Sequence, residues 1–226
     1  MQQSIERTKA YRGLGMEGRI AAWYTKNTAK DMQEFRKLAD RFSQELPAQA
    51  RVLEVAPGPG YFSVELARRS RLQITGLDIS RSFVQIASEN ARRAGVSVAF
   101  ERGNASAMTF PDNAFDFIFC RAAFKNFTQP IEAMSEMHRV LKPGGRAVII
   151  DLRKDASLSD INDYIKHAHL SWKDRVVYKL TFRYLLIPRA YTKRQFQEMA
   201  SASRFGEAEI NESGMGFEIV LRRNAA

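Results

Sequence analysis

Arg51-Val-Leu-Glu-Val-Ala-Pro-Gly-Pro-Gly-Tyr-Phe-Ser63 decides the fold. Val52 to Ala56 is a short apolar run interrupted by one acid, Glu54. Pro57-Gly58-Pro59-Gly60 breaks it, and a helical spacing resumes through Val64, Leu66 and Ala67. A buried strand, a tight glycine turn and a helix N-terminus in succession form the first unit of a nucleotide-binding α/β sheet. Gly58 and Gly60 lack a Cβ, so the chain can turn sharply and a ligand can approach its backbone. The helix that follows offers unsatisfied N–H groups and a partial positive charge.

Working outward, the alternation repeats. Leu72–Ile79 reads as a second strand carrying Asp78 near its end. Ser80 then caps a helix with Phe83, Ile86, Ala87, Ala91 and Ala94 on one face and Gly95 at its end. Val96–Phe100 reads as a third strand, Ala114–Cys120 as a fourth and fully buried one, and Arg146–Asp151 as a fifth. A helix from Pro130 to Leu141 stops at Lys142-Pro-Gly-Gly145. This rhythm predicts a parallel sheet covered on both faces. Thr192-x-x-Gln195 is a capping box opening a last helix. Phe205–Ile210 and Phe217–Arg222, joined by residues 211–216, predict an antiparallel edge hairpin.

Two regions depart from the rhythm. Residues 1–50 are polar with a broken helical spacing that stops at Pro47. Gly13-Leu-Gly15-Met-Glu-Gly18 has the letters of a dinucleotide fingerprint but no strand before it, so it reads as a flexible loop. Trp23-Tyr24 either packs on the domain, the reading we favour, or closes its rings over a ligand. Residues 152–190 read as two helices, the second over 172–187. There Trp172, Val176, Leu180 and Tyr184 form an apolar stripe and Arg175, Lys179 and Arg183 a basic one.

The 226 residues suit one domain with a proper core. A single cysteine, Cys120, excludes an intramolecular disulfide, and no metal site is expected. Met1–Arg7 lacks an apolar signal region, and no apolar run approaches the roughly 18 residues that cross a bilayer. A soluble, cytoplasmic protein is expected. The net charge of +10 favours anionic partners, whether nucleic acid, acidic lipid or an anionic substrate, or else serves solubility.

Asp78 is placed to accept hydrogen bonds from ribose hydroxyls, which points to an adenosine-containing cofactor. Glu54 chooses among such cofactors. A pyrophosphate near the first turn would be repelled by a carboxylate, whereas a cationic group would be attracted. S-adenosylmethionine carries an adenosine, a sulfonium and an ammonium, so the electrostatics favour it over a nicotinamide dinucleotide.

With these residues in view, the chain resembles the class I S-adenosylmethionine-dependent methyltransferases, and among them the ubiquinone/menaquinone-type small-molecule subgroup. Four blocks carry the resemblance: Val52–Gly60, Gly76–Ser80, Gly103–Ser106 with Phe115–Cys120, and Val140–Gly145. It implies a Rossmann-like three-layer α/β sandwich whose mostly parallel seven-stranded sheet has the order 3-2-1-4-5-7-6. It implies one domain over 1–226, with a helical cap at 1–45 and a helical lid at 152–190. It also implies roles for single residues. Glu54 would hold the methionine ammonium through water, and Ala56, Pro57, Gly58 and Gly60 would line methionine and ribose with backbone. Asp78 would bind the ribose, and Ile79 and Phe83 would contact the adenine. Asn104 and Ala105 would lie at the adenine edge, and Arg121 would offer its backbone carbonyl near the ammonium.

The sequence departs from the family at two places. Ala56 stands where glycine is common, which narrows the turn. Phe124-Lys125-Asn126-Phe127 stands where relatives often carry a histidine pair, which puts a histidine base at that place in doubt. Tyr24, Lys125, His167 and His169 remain as base candidates, each reading more readily as structural or solvated. His167 and His169 diverge on a helix and cannot share a metal. His138 reads as a partly buried core residue and Cys120 as an inert hydrophobe.

Methyl transfer to a small apolar or amphipathic acceptor, leaving S-adenosylhomocysteine, is the expected activity. An RNA or protein acceptor on the basic 166–194 surface is the alternative. Against it, there is no appended RNA-binding module, and Cys120-Arg-Ala-Ala stands where Asn-Pro-Pro-Tyr would mark a base methyltransferase. DNA is not expected as a partner. Contact with a membrane surface through 172–187, to reach a lipid or quinone-like acceptor, is a further reading. The oligomeric state is left open.

Overall fold

A computed structural model of the chain describes residues 11–12, 15–167 and 172–225, apart from the side chains of His167, Lys173 and Asp174. Strand β4 (Phe115–Arg121) is the middle of the sheet. Successive side chains of a strand point to opposite faces. Phe117 and Phe119 therefore enter one core, Ile118 and Cys120 the other, and all four are buried. Parallel pairing joins β4 to β1 (Arg51–Val55) and β5 (Leu141–Leu152), and continues from β1 to β2 (Gln73–Asp78) and β3 (Ala99–Arg102). β7 (Gly216–Arg222) runs antiparallel to β5, and β6 (Glu209–Ser213) antiparallel to β7. The order is β3-β2-β1-β4-β5-β7-β6, as expected.

One face is covered by α2 (Met32–Glu45) and α3 (Tyr61–Arg69), with α4 (Arg81–Ala94) following β2. Phe42 of α2 meets the rings of Phe62, Phe117 and Phe119 at 6.0, 4.9 and 5.3 Å between centroids. Burying such a side chain stabilises by ~1.5–3 kcal/mol. Residues 32–45, expected within the cap, are thus part of the core layer, and α1 (Gly18–Thr28) precedes them. α5 (Pro130–Val140) and α8 (Lys193–Ala202) cover the other face. The capping box of α8 forms as predicted, Thr192 with Gln195.

Several boundaries differ from the sequence reading, among them β5, which begins at Leu141 rather than Arg146 and so takes in residues 142–145. β3 begins at Ala99 rather than Val96, because Gly95 ends α4 in a left-handed turn (φ 68°) and the chain reaches β2 only afterwards. The edge hairpin turns at Gly214-Met215, with Gly214 at φ 51° as the first loop residue of a two-residue turn requires. Phe205, predicted to open β6, lies before it and packs in the core. The segment expected as a lid forms α6 (Leu158–His167) and α7 (Trp172–Thr181). α7 continues as a π-helical turn over Phe182–Leu186. Tyr178 and Phe182 pack on Ile161, Ile165, Ile187 and Met215, whereas Trp172, Val176, Leu180 and Tyr184 face outward.

Candidate active site

The chain order reverses between β1 and β4, and the carboxyl ends of strands at such a point enclose a crevice. Here the crevice is a cavity of 660 Å³. Every residue expected at the cofactor site lines it except Gly60.

Glu54 shares a face of β1 with Val52, beneath the first turn of α3. The Ser63 N–H donates to Glu54 Oε2 at 3.1 Å, and the Ser63 hydroxyl donates to the same oxygen. Burial outweighs these bonds and pushes the carboxyl up to about 7. Oε1 has no protein partner among the described residues, so the site retains an acceptor for a cation.

Asp78 ends β2, also buried. Its carboxylate accepts the Gly58 N–H at 3.0 Å and the Ser80 N–H at 2.9 Å, tying the end of β2 to the glycine turn. Burial pushes this carboxyl up to about 6. Beside it Ile79 is 39% exposed at the cavity edge, an apolar surface for a flat base to cover. Phe83 backs the wall, and Tyr24 packs edge-on against it at 5.6 Å. Asn104 and Ala105 also line the cavity, the Asn104 carbonyl oxygen accepting the Ser106 N–H in a local turn.

The reasons for two turn residues differ from expectation. Gly60 does not line the cavity: it has φ 74°, and a Cβ there would lie 2.8 Å from Ala87 and Phe100. Its missing side chain serves helix–strand packing. Ala56 adopts φ 55°, so glycine is favoured at this position by backbone conformation rather than by room. A left-handed alanine costs ~1–2 kcal/mol, and glycine returns ~0.4–1 kcal/mol of that as unfolded-state entropy. Ala56→Gly should therefore raise stability by about 0.5–1 kcal/mol in urea denaturation. A lowered midpoint would refute the strain.

Lys125 lines the cavity but is not available as a base. Its ammonium donates to Asp151 Oδ1 at 2.8 Å and to the Ala122 carbonyl at 2.5 Å, and both side chains of the pair are buried. Arg121 contributes more than a backbone carbonyl, since its guanidinium lies over the Phe35 ring at 4.8 Å. Tyr24 reaches the site, while Trp23 is exposed and does not pack. His138 meets Phe205 edge-on at 5.0 Å, and burial lowers its pKa. Burial raises the Cys120 thiol well above its usual range. His169 and the His167 side chain lie outside the described residues.

Several site residues were not singled out in the sequence. The Glu17 carboxylate accepts the Arg81 and Ser82 N–H groups at 2.9 Å each, and the Ser80 hydroxyl donates to the Met16 carbonyl. The Gly15–Gly18 half of the glycine motif is therefore docked over the start of α4, while Gly13 lies outside the described residues. Beyond Arg121 the cavity opens into a chamber of Asp31, Phe35, Tyr164, Phe182, Leu186 and Met215. Burial raises the Asp31 carboxyl, and it pushes Tyr164 up to about 12 with Asp31 contributing. Only the general expectation of a cap and lid pointed there.

Residues 53–149 match the model of a family described as a methyltransferase domain. A structure from Methanococcus maripaludis, a candidate S-adenosyl-L-methionine-dependent methyltransferase, superposes with a TM-score of 0.72. It is 19% identical, with 95% of this chain and 97% of that one covered. The fold is a methyltransferase fold. Another chain with this methyltransferase fold, phosphoethanolamine N-methyltransferase 2 of Haemonchus contortus, is held in complex with S-adenosylhomocysteine. Its TM-score is 0.58 at 22% identity, covering 79% of this chain and 38% of that one. Over 108 residues the chain is 38% identical to the demethylmenaquinone methyltransferase of Deinococcus radiodurans, covering 47% of this chain and 45% of the relative. It is 35% identical over 118 residues to a ubiquinone/menaquinone biosynthesis C-methyltransferase of a Marinomonas species, covering 50% and 47%. The chain spans about half the length of the curated relatives it matches.

Proposed function

We propose that this chain binds S-adenosylmethionine between Glu54 and Asp78 and transfers its methyl group to a small amphipathic molecule in the adjoining chamber. The observation that carries the reading is a single cavity joining two buried carboxylates to a largely apolar chamber. Glu54 Oε1 suits the ammonium, Asp78 the ribose hydroxyls, and Ile79 with Phe83 the adenine. The bound cofactor would supply an electrophilic methyl on sulfur. The protein's part is then to hold the acceptor in line and exclude water. Phe35, Phe182, Leu186 and Met215 provide the apolar walls. The relatives' names support a quinone-like ring as acceptor, and a ring carbon must lose a proton on methylation. Asp31, whose carboxyl is raised by burial beside Arg121, is better placed to take that proton than the engaged Lys125.

S-adenosylhomocysteine at a hundredfold excess over its Kd should stabilise the protein by about 2.7 kcal/mol in thermal denaturation. No shift at millimolar ligand would overturn the reading.

A further inference from the structure

We propose that the outer face of α7 and its π-helical continuation docks on the surface of an anionic lipid bilayer. Trp172, Val176, Val177, Leu180, Tyr184 and Leu185 are each more than half exposed. They follow one another along the same helix and form a contiguous apolar face of the kind that marks an interaction site. The π-helical turn contributes to this. It carries Tyr184 and Leu185 outward while Phe182 and Leu186 line the chamber. One stretch of chain thus presents apolar side chains both to the acceptor chamber and to the outside.

Charge selects the occupant. Residues 166–194 hold eight Lys and Arg against the single acid Asp174, in a chain whose net charge is +10. The Arg183 guanidinium lies over the Tyr184 ring at 5.5 Å, which brings a cation to the rim of the apolar face. A helix with Trp and Leu on one side and Lys and Arg along its flank lies in the headgroup plane of acidic lipids. Nucleic acid would use exposed rings to stack bases, but Val176, Val177, Leu180 and Leu185 are aliphatic and offer no such platform, which favours lipid. Among the described residues no helix is long and apolar enough to cross a membrane, so the contact is peripheral. The inference rests on the proposed function only in giving an acceptor dissolved in the bilayer a short path to Phe182 and Leu186.

Flotation of the full chain with vesicles tests it. The protein should float with an equimolar mixture of phosphatidylcholine and phosphatidylglycerol and not with phosphatidylcholine alone, and added salt should weaken the binding. A Leu180→Asp/Leu185→Asp variant should bind these vesicles about a hundredfold more weakly. Its circular dichroism and its thermal shift with S-adenosylhomocysteine should match the parent. Failure of the parent to float, or flotation indifferent to the two leucines, would overturn the proposal. So would sedimentation showing that the variant converts a dimer to a monomer, which would make this face an interface between copies. Vesicle binding without any S-adenosylhomocysteine shift would count against the methyltransferase reading and leave the docking surface standing.

Discussion

Glu54→Gln is expected to make the ligand-free protein more stable at pH 8 while weakening S-adenosylhomocysteine about a hundredfold. The two effects have one cause. Glu54 titrates at about 7 in the folded chain against 4.5 for an unperturbed carboxyl, and Asp78 at about 6 against 3.8. Between those limits the folded state binds more protons than the unfolded state, so stability falls as pH rises. The contribution of Glu54 is fully present below about pH 4.5 and lost as pH passes about 7, on the order of 3 kcal/mol. Glutamine has no charge to desolvate, and its amide oxygen still accepts from Ser63. Its stability should therefore change less between pH 5.5 and pH 8 than the parent's. Binding moves the other way because the charge-assisted bond to the ammonium, worth ~1.5–3 kcal/mol, is lost. In the parent, affinity should rise with pH up to about 7 and then level off, as Glu54 becomes ionised. Urea denaturation at both pH values and calorimetric titration check the two halves. A variant that melts below the parent at pH 8, or that keeps its affinity, would remove Glu54 from the cofactor site.

The cofactor half of the site was legible because its geometry is local. A glycine turn between a strand and a helix, with an acid at the end of the next strand, imposes residue types at fixed spacing. Glu54 and Asp78 could be expected at one cavity for that reason, and both line it. The reasons behind Gly60 and Ala56 were not legible. One depends on Phe100 and Ala87 arriving from other elements, the other on a φ angle that the letter alanine does not disclose. The engagement of Lys125 was not legible on similar grounds, because Asp151 reaches it only when β5 lies beside β4. The part of the cavity proposed to take the acceptor was the least legible. Asp31, Tyr164 and Met215 come from the turn before α2, from α6 and from the edge hairpin, and no spacing within one segment relates them. The spacing of Phe35, Ala39 and Phe42 was visible, but only tertiary packing on Phe117 and Phe119 reveals α2 as a core layer.

Lys125→Met should cost about 3–5 kcal/mol of stability, because it strands a buried charge. Asp151 would keep two backbone donors, the Lys125 N–H at 2.9 Å and the Leu152 N–H at 2.8 Å, but no counter-ion among the described residues. The Ala122 carbonyl would lose its ammonium donor at a residue held in the left-handed region at φ 56°. The loop from Ala122 to Asn126 borders the chamber, so its loosening should also raise the KM for the acceptor. Adding Asp151→Asn removes the stranded charge, and the double variant should recover much of the stability lost in the single one. Urea denaturation of the three proteins reads this as midpoints that shift with the m-value unchanged. Methionine roughly conserves the volume of lysine, so a cavity contributes little to the loss. The alternative leaves a different signature. If the neutral Lys125 amine were the general base, Lys125→Met would retain the parent's midpoint while turnover collapsed and the acceptor KM stayed put. The buried Asp151 partner makes the first pattern the expected one, and it makes Lys125 a residue that positions the post-β4 loop.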